Sequence, residues 1–357
     1  MMALPAARRP WGRLAGWTFP SRWISLAAVL AGVMGFEGEV FSGDDPDAGR
    51  IAEWLRLPEE SLGAAMGPGD FEGVIARAGG GDPKAQALAG RCQLVGIGGA
   101  IDLDAAVGWF RRAAEAGEPN GEVSLGKCYY YGTWVTQDFR CAEGWFRRAA
   151  DEGHAHAQEY LGLLALRGAV SGRPDPGVAA NWFARAADQG LPQSMHNLAR
   201  LYSEGHGVGK DLDKAVGWYR RAAEQGFPPS QYNLGRMYAE GLGCPKDLRG
   251  AFRWYREAAR QNFAPAAYNL GVMYENGIGI PANAREAARY YRDAAELGDP
   301  KAQYNLAVLL LNGQGVPPNA EEAVRWLRLS AAQNDAYAIR ALEDLGAGRP
   351  REMSPIN

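Results

Sequence analysis

Along residues 191–226 apolar side chains recur at spacings of three and four in two separate runs, with a polar, glycine-bearing break between them. In the first run Met195, Leu198, Ala199, Leu201 and Tyr202 share one face, which predicts an amphipathic helix. Gly205 and Gly207 stop it, since glycine reaches the positive φ that a helix C-terminus and a tight turn demand. Asp211 then stands at an N-cap, where its carboxylate accepts the free amides of the next first turn. The second helix is predicted from about 212 to 225, with Ala215, Val216, Trp218, Tyr219, Ala222 and Ala223 inward. Gly226 ends it, and Pro228 follows. The stretch is a helix–turn–helix.

The same pattern then repeats without a gap. Residues 227–262, 263–298 and 299–334 carry it, and the landmark aromatics Trp218, Trp254, Tyr290 and Trp326 recur every 36 residues. A fixed period in this range predicts an array of supersecondary units. The ninth position of these units is always small (Ala199, Gly235, Gly271, Ala307), and paired alanines close each second helix (Ala222–Ala223 in the first of them). Backbones can approach closely there, with the landmark Trp or Tyr filling the space between units. One hairpin cannot bury its apolar surface alone, whereas stacked hairpins bury it against their neighbours. The prediction is an all-α solenoid.

These residues resemble the Sel-1-like repeat, a tetratricopeptide-like α/α repeat with a longer turn. Leu234-Gly235, Met237-Tyr238, Gly241, Gly243, Asp247, Ala251, Trp254-Tyr255 and Ala258-Ala259 match that family's pattern as they stand. The resemblance implies a right-handed α-solenoid of about seven helix–turn–helix repeats. It also implies a scaffold or adaptor that binds a protein or peptide and performs no catalysis.

Three earlier units, 82–117, 118–153 and 154–190, follow the pattern more loosely and differ most in their turns, so the solenoid is expected to span 82–334 and to fray first at its N-terminal half. Residues 37–81 read as a linker with a partial capping repeat, and 335–357 as a capping helix with a tail. Residues 1–36 differ from all the rest. Arg8, Arg9, Arg13 and Arg22 precede an apolar run over 23–36, the order of a secretory signal. The run is too short to cross a bilayer core of about 30 Å. The expectation is a signal peptide or N-terminal anchor, hence a periplasmic or secreted bacterial protein; without export the location is cytoplasmic. An anchor would be the one contact with membrane.

The net charge of −3 and near balance of acids and bases give no electrostatic footprint for nucleic acid. Candidate chemistry is sparse, and no cofactor or metal is expected. Ser124 and Lys127 have the S-x-x-K spacing of serine β-lactamases, which keeps a periplasmic hydrolase or binder acting on β-lactam or peptidoglycan as the alternative function. The companion S-D-N and K-T-G motifs do not occur. His154 and His156 read as solvated residues at a repeat junction. Cys92 and Cys128 take core positions, and a Cys128–Cys141 bridge across a turn is conceivable. The feature that repeats once per unit is more suggestive: Asn197, Asn233, Asn269 and Asn305 each follow His196, Tyr232, Tyr268 or Tyr304. On first helices, which usually line the concave face of such superhelices, an asparagine ladder can hold the main chain of an extended peptide. The plainer reading is that each asparagine fixes the repeat geometry.

Overall fold

The computed structural model describes residues 59–67 and 69–346, with the isolated positions Ile51, Leu55, Leu57 and Pro355. The leader expected at 1–36 lies outside the described residues, as does most of 37–58. Among the described residues the fold is all-helical, with 17 helices and no strand. Two short helices, α1 (Glu59–Ala65) and α2 (Asp70–Gly79), precede seven hairpins. These are α3 (Pro83–Val95) with α4 (Leu103–Glu115), α5 (Pro119–Tyr131) with α6 (Phe139–Asp151), and α7 (Ala155–Arg167) with α8 (Pro176–Asp188). There follow α9 (Pro192–Glu204) with α10 (Leu212–Glu224), and α11 (Pro228–Glu240) with α12 (Leu248–Ala259). The last are α13 (Ala264–Asn276) with α14 (Ala284–Glu296), α15 (Pro300–Asn312) with α16 (Ala320–Ala332), and then the single α17 (Ala336–Gly346).

The termini of these helices follow from local chemistry. Each first helix stops at a glycine in the left-handed region, Gly205 and Gly241 among them. Each second helix is capped by an aspartate or asparagine; Asp211 Oδ1 accepts from Lys214 N at 2.9 Å. The capping residue also donates its own amide to a carbonyl late in the first helix, as in Asp211 N to Tyr202 O and Asp247 N to Tyr238 O, both 2.9 Å. That second bond closes the hairpin.

Each second helix packs against the first helix of its own repeat and the first helix of the next. The apolar interior is therefore a series of clusters along the stack, with Trp218 touching two of them. The landmark tryptophans are only half-buried, which corrects the expectation that they fill the space between units. The next residue does so: Phe110, Phe146, Phe183, Tyr219, Tyr255, Tyr291 and Leu327 are all at most 4% exposed. Their rings lie against the ninth position, where a Cβ on Gly271 would come within 2.5 Å of Tyr291 and one on Gly126 within 2.6 Å of Phe146. Trp109, Trp145, Trp182 and Trp218 instead each carry an arginine over a ring face, at 4.4 Å for Arg221 on Trp218 and 4.8 Å for Arg185 on Trp182.

A second device joins the repeats. Gln231 Nε2 donates to Ala223 O at 3.1 Å, Gln303 Nε2 to Ala295 O at 3.1 Å, and Gln86 Nε2 to Ala78 O at 3.1 Å. Each glutamine adds a side-chain bond to a carbonyl in the last turn of the preceding helix, which the amide of Gly226, Gly298 or Gly81 also reaches. A glutamine late in the same repeat holds it in place, Gln261 on Gln231 at 2.9 Å and Gln333 on Gln303 at 3.0 Å. In the second repeat the equivalent position is Glu122, and Arg148 does both jobs, reaching Glu122 at 2.8 Å and Ala114 O at 3.1 Å.

Candidate binding face

The first helices carry the candidate residues, and the structure treats the four asparagines differently. Asn197, Asn233 and Asn269 are half-exposed, whereas Asn305 is fully buried. Asn305 donates to the hydroxyl oxygens of Tyr268 and Tyr291, and Asn269 to that of Tyr255. Tyr255 and Tyr291 belong to the second helix of the preceding repeat, so these two amides tie one repeat to the last. Burial raises the pKa of all three phenols, up to about 12 for Tyr268, and they stay protonated in any physiological buffer.

The neighbouring position forms an aromatic column. His196 sits 5.4 Å from Tyr219 and 5.5 Å from Phe227; Tyr232 sits 5.7 Å from Tyr255 and 5.6 Å from Phe263. Tyr268 is 5.9 Å from Tyr291 and Tyr304 is 5.8 Å from Tyr337. Tyr268 and Tyr304 are buried and Tyr232 half-buried, so their rings belong to the repeat junctions. Three residues beyond Asn197 and Asn233 stand Arg200 and Arg236, both exposed. Residues three apart share a helix face. The middle of the stack therefore presents amide and guanidinium donors side by side on α9 and α11.

The first helices of the N-terminal half carry a polar cluster that the sequence did not disclose. Lys127 lies 5.3 Å from the Tyr160 ring, Tyr131 and Tyr160 hydroxyls meet at 3.1 Å, and His156 Nδ1 lies 3.4 Å from Glu159 Oε2. His156 and Glu159 are buried, not solvated, which corrects the reading of that junction. Burial pushes the imidazole of His156 down to about 3, with the Lys127 charge adding to the effect. It pushes the Glu159 carboxyl up to about 7, and Lys127 pulls the other way. The signal for this cluster is polar residues at helix positions that are apolar elsewhere, such as Glu159 where other repeats have Ala87 and Val123.

Ser124 and Lys127 lie on α5 at 1% and 2% exposure, so neither side chain opens to solvent. All four cysteines are free, and the bridge weighed between Cys128 and Cys141 does not form. Burial raises the Cys92 and Cys128 thiols to about 12, as expected of apolar core positions. Cys141 is exposed, and its thiol donates to Asp138, the N-cap of α6, at 3.3 Å. Among the described residues no group of three or more histidines, cysteines and acids could hold a metal ion, and no helix is long and apolar enough to cross a membrane.

Seven consecutive segments match the Sel1 repeat: 83–118, 119–154, 155–191, 192–227, 228–263, 264–299 and 300–335. A crystal structure of a Sel1 repeat protein from Oxalobacter formigenes is similar at 28% identity and a TM-score of 0.64, covering 89% of this chain and 99% of that one. The c5321 protein of uropathogenic Escherichia coli, described as a protective antigen with an SLR fold, is 32% identical with a TM-score of 0.47 over 77% of this chain and 67% of that one. Cysteine rich protein B of Helicobacter pylori is 26% identical over 37% of this chain and 95% of its own, with a TM-score of 0.31. A search of curated proteins finds no match.

Proposed function

Because the chain belongs to the Sel1 repeat family, whose repeats generally serve protein–protein interaction, we propose that it is a non-enzymatic scaffold. In this reading the first-helix face, on the concave side of the stack, holds a protein or peptide partner. The observation that carries it is the pairing of half-exposed Asn197 and Asn233 with exposed Arg200 and Arg236. Repeated donors on a rigid support suit an extended segment, whose backbone carbonyls and acidic side chains accept them at little ordering cost. The enzymatic alternative would need Ser124 and Lys127 to meet a substrate, and their burial argues against that.

Export belongs to the same reading. The basic residues and apolar run of 1–36 would deliver the scaffold to the cell envelope, where its partner would be found. Intact mass of the chain recovered from its own host tests this: cleavage near Ala31 or Gly35 supports it, and an uncleaved chain in the soluble cytoplasm rejects it.

Affinity purification from that host tests the binding face. Asn269 is engaged by Tyr255, so the informative variant is Asn233→Ala with Arg236→Ala, both away from the core. Two lost hydrogen bonds, one of them charged, should weaken partner retention about tenfold or more, with helicity unchanged by circular dichroism. Retention at the level of the parent protein would reject this face.

A further inference from the structure

The turn of each repeat normally docks on the start of the preceding repeat's second helix. Gly98, Gly207, Gly243, Gly279 and Gly315 make that contact in five repeats, all at positive φ, with no room for a Cβ against Phe71, Pro176–Gly177, Leu212, Leu248 and Ala284 respectively. In the second repeat the same position is Trp134, which keeps the positive φ at 61°. A bulky side chain at that backbone geometry is an outlier that local sterics disfavour. It also cannot dock as glycine does. Where the turn of the second repeat should close on Leu103, the structure instead has a solvent-open cavity of about 670 Å³.

We propose that this cavity is a binding site for a small amphipathic cation, an amine or guanidinium carried on an apolar body. Its walls include Phe71, Ile101, Leu103 and Trp134, and its polar lining includes Asp102 and Asp104. No lysine or arginine lines it, and neither carboxylate has an ion-pair partner among the described residues. The N-terminus of α4 contributes about half a positive charge there, against two carboxylate charges, so the field favours a cation. Trp134, lining the same cavity, adds an aromatic ring of the kind on which cations settle. The volume falls in the range of about 300–1,000 Å³ typical of small-ligand pockets. Apart from Gln93 near the end of α3, the site is built from turns and second-helix starts, and it shares no residue with the candidate face on α9 and α11.

The experiment follows the tryptophan indole N–H resonances of the ¹⁵N-labelled protein during titration with hexylammonium, hexanol and hexanoate. The Trp134 signal is identified by its loss in Trp134→Gly. Hexylammonium should shift it, hexanoate should not, and hexanol should bind at least fivefold more weakly than the amine. Trp134→Gly restores the turn of the other repeats, so it should melt no lower than the parent and lose hexylammonium binding at least tenfold. If that variant fails to fold, Trp134→Ala, which removes the ring alone, gives the same reading. Asp104→Asn should cost about fivefold for the amine, the worth of one charge at about 4 Å in water, and nothing for hexanol. Tighter binding of N-acetyl-Leu-Arg-amide than of hexylammonium would assign the cation to a partner's side chain, and the reverse to a free amine. Equal binding of amine and hexanoate, or undiminished binding by the Trp134 variants, would overturn the proposal.

Discussion

One substitution, glycine to alanine in the middle of a helix, should change sign between two positions of this stack. Gly217 lies on α10 at the surface, and a Cβ there would meet nothing within 4 Å. Gly217→Ala gains only the helix propensity of alanine, about 1 kcal/mol. Gly271 lies on α13, where the added Cβ would stand 2.5 Å from Cδ1 and Cε1 of Tyr291. Ordinary carbon contacts are about 3.5–4.0 Å, so the ring would have to retreat by about 1 Å. It has little freedom to do so. Tyr291 is fully buried, its hydroxyl donates to Glu275 at 2.7 Å, and Asn305 of the next repeat donates to the same oxygen. Overpacking costs about 1–3 kcal/mol, and the pinned ring places this case in the upper half of that range. After the propensity gain, Gly271→Ala should destabilise by about 1–2 kcal/mol. The chain already holds two other solutions. Ala199 faces Tyr219, whose hydroxyl is engaged by Ser203 of its own repeat, and Ala307 faces the smaller Leu327. Copying the latter, Gly271→Ala with Tyr291→Leu should cost at least 1 kcal/mol less than the sum of the two single changes. Hydrogen exchange across α13 and α14, read by mass spectrometry, is the assay of choice because a repeat array opens locally. Gly271→Ala that slows exchange there as Gly217→Ala does in α10 would refute the reasoning.

Gln231→Leu removes two hydrogen bonds, to Ala223 O and from Gln261, so it should cost about 1–3 kcal/mol and speed exchange at the junction of α10 with α11; unchanged exchange there would make the glutamine bridge incidental. His156→Gln should alter acid stability. Below the unfolded-state value of 6.5 the unfolded imidazole takes a proton that the buried one, at about 3, refuses, so the parent loses stability as pH falls through that window. At about 1.4 kcal/mol per pH unit the loss reaches about 2 kcal/mol by pH 5. Glu159, raised from 4.5 to about 7, works oppositely between those values, because its folded form keeps its proton. Urea midpoints at pH 8 and pH 5 for parent and variant isolate the histidine, and equal pH dependence in both would show that His156 is not buried as a neutral ring.

The helices, their caps and their order were legible because each is set within about 36 residues by spacing, glycine and the capping acid. What escaped was set between repeats. The period marked Trp218 as the landmark, yet the residue after it fills the junction, because burial depends on how the next first helix approaches. His156 read as a solvated residue and Glu159 drew no notice, since nothing local to α7 says that Lys127 and Tyr131 of α5 will close over the same ground. The unusual turn at Gly132-Thr133-Trp134 was visible, but its consequence lies at Leu103, one repeat back. Likewise Cys128 and Cys141 flank one turn in sequence, while the fold buries one and exposes the other.

The asparagine column shows how one repeated residue can serve two ends. At the C-terminal end of the stack Asn269 and Asn305 are spent on Tyr255, Tyr268 and Tyr291, locking α13 and α15 to the repeats before them. In the middle the equivalent ring is Tyr219, whose hydroxyl is paired with that of Ser203, itself a donor to Arg200 O at 2.8 Å. Asn233 is thereby spared that duty, half-exposed and on one face with Arg236. The same amide thus fastens repeats where a tyrosine reaches it and is offered to a partner where none does. On this argument recognition concentrates on α9 and α11. Tyr219→Phe should leave binding intact, whereas Tyr291→Phe should loosen the C-terminal junction without touching it; a partner lost equally from both variants would break the distinction.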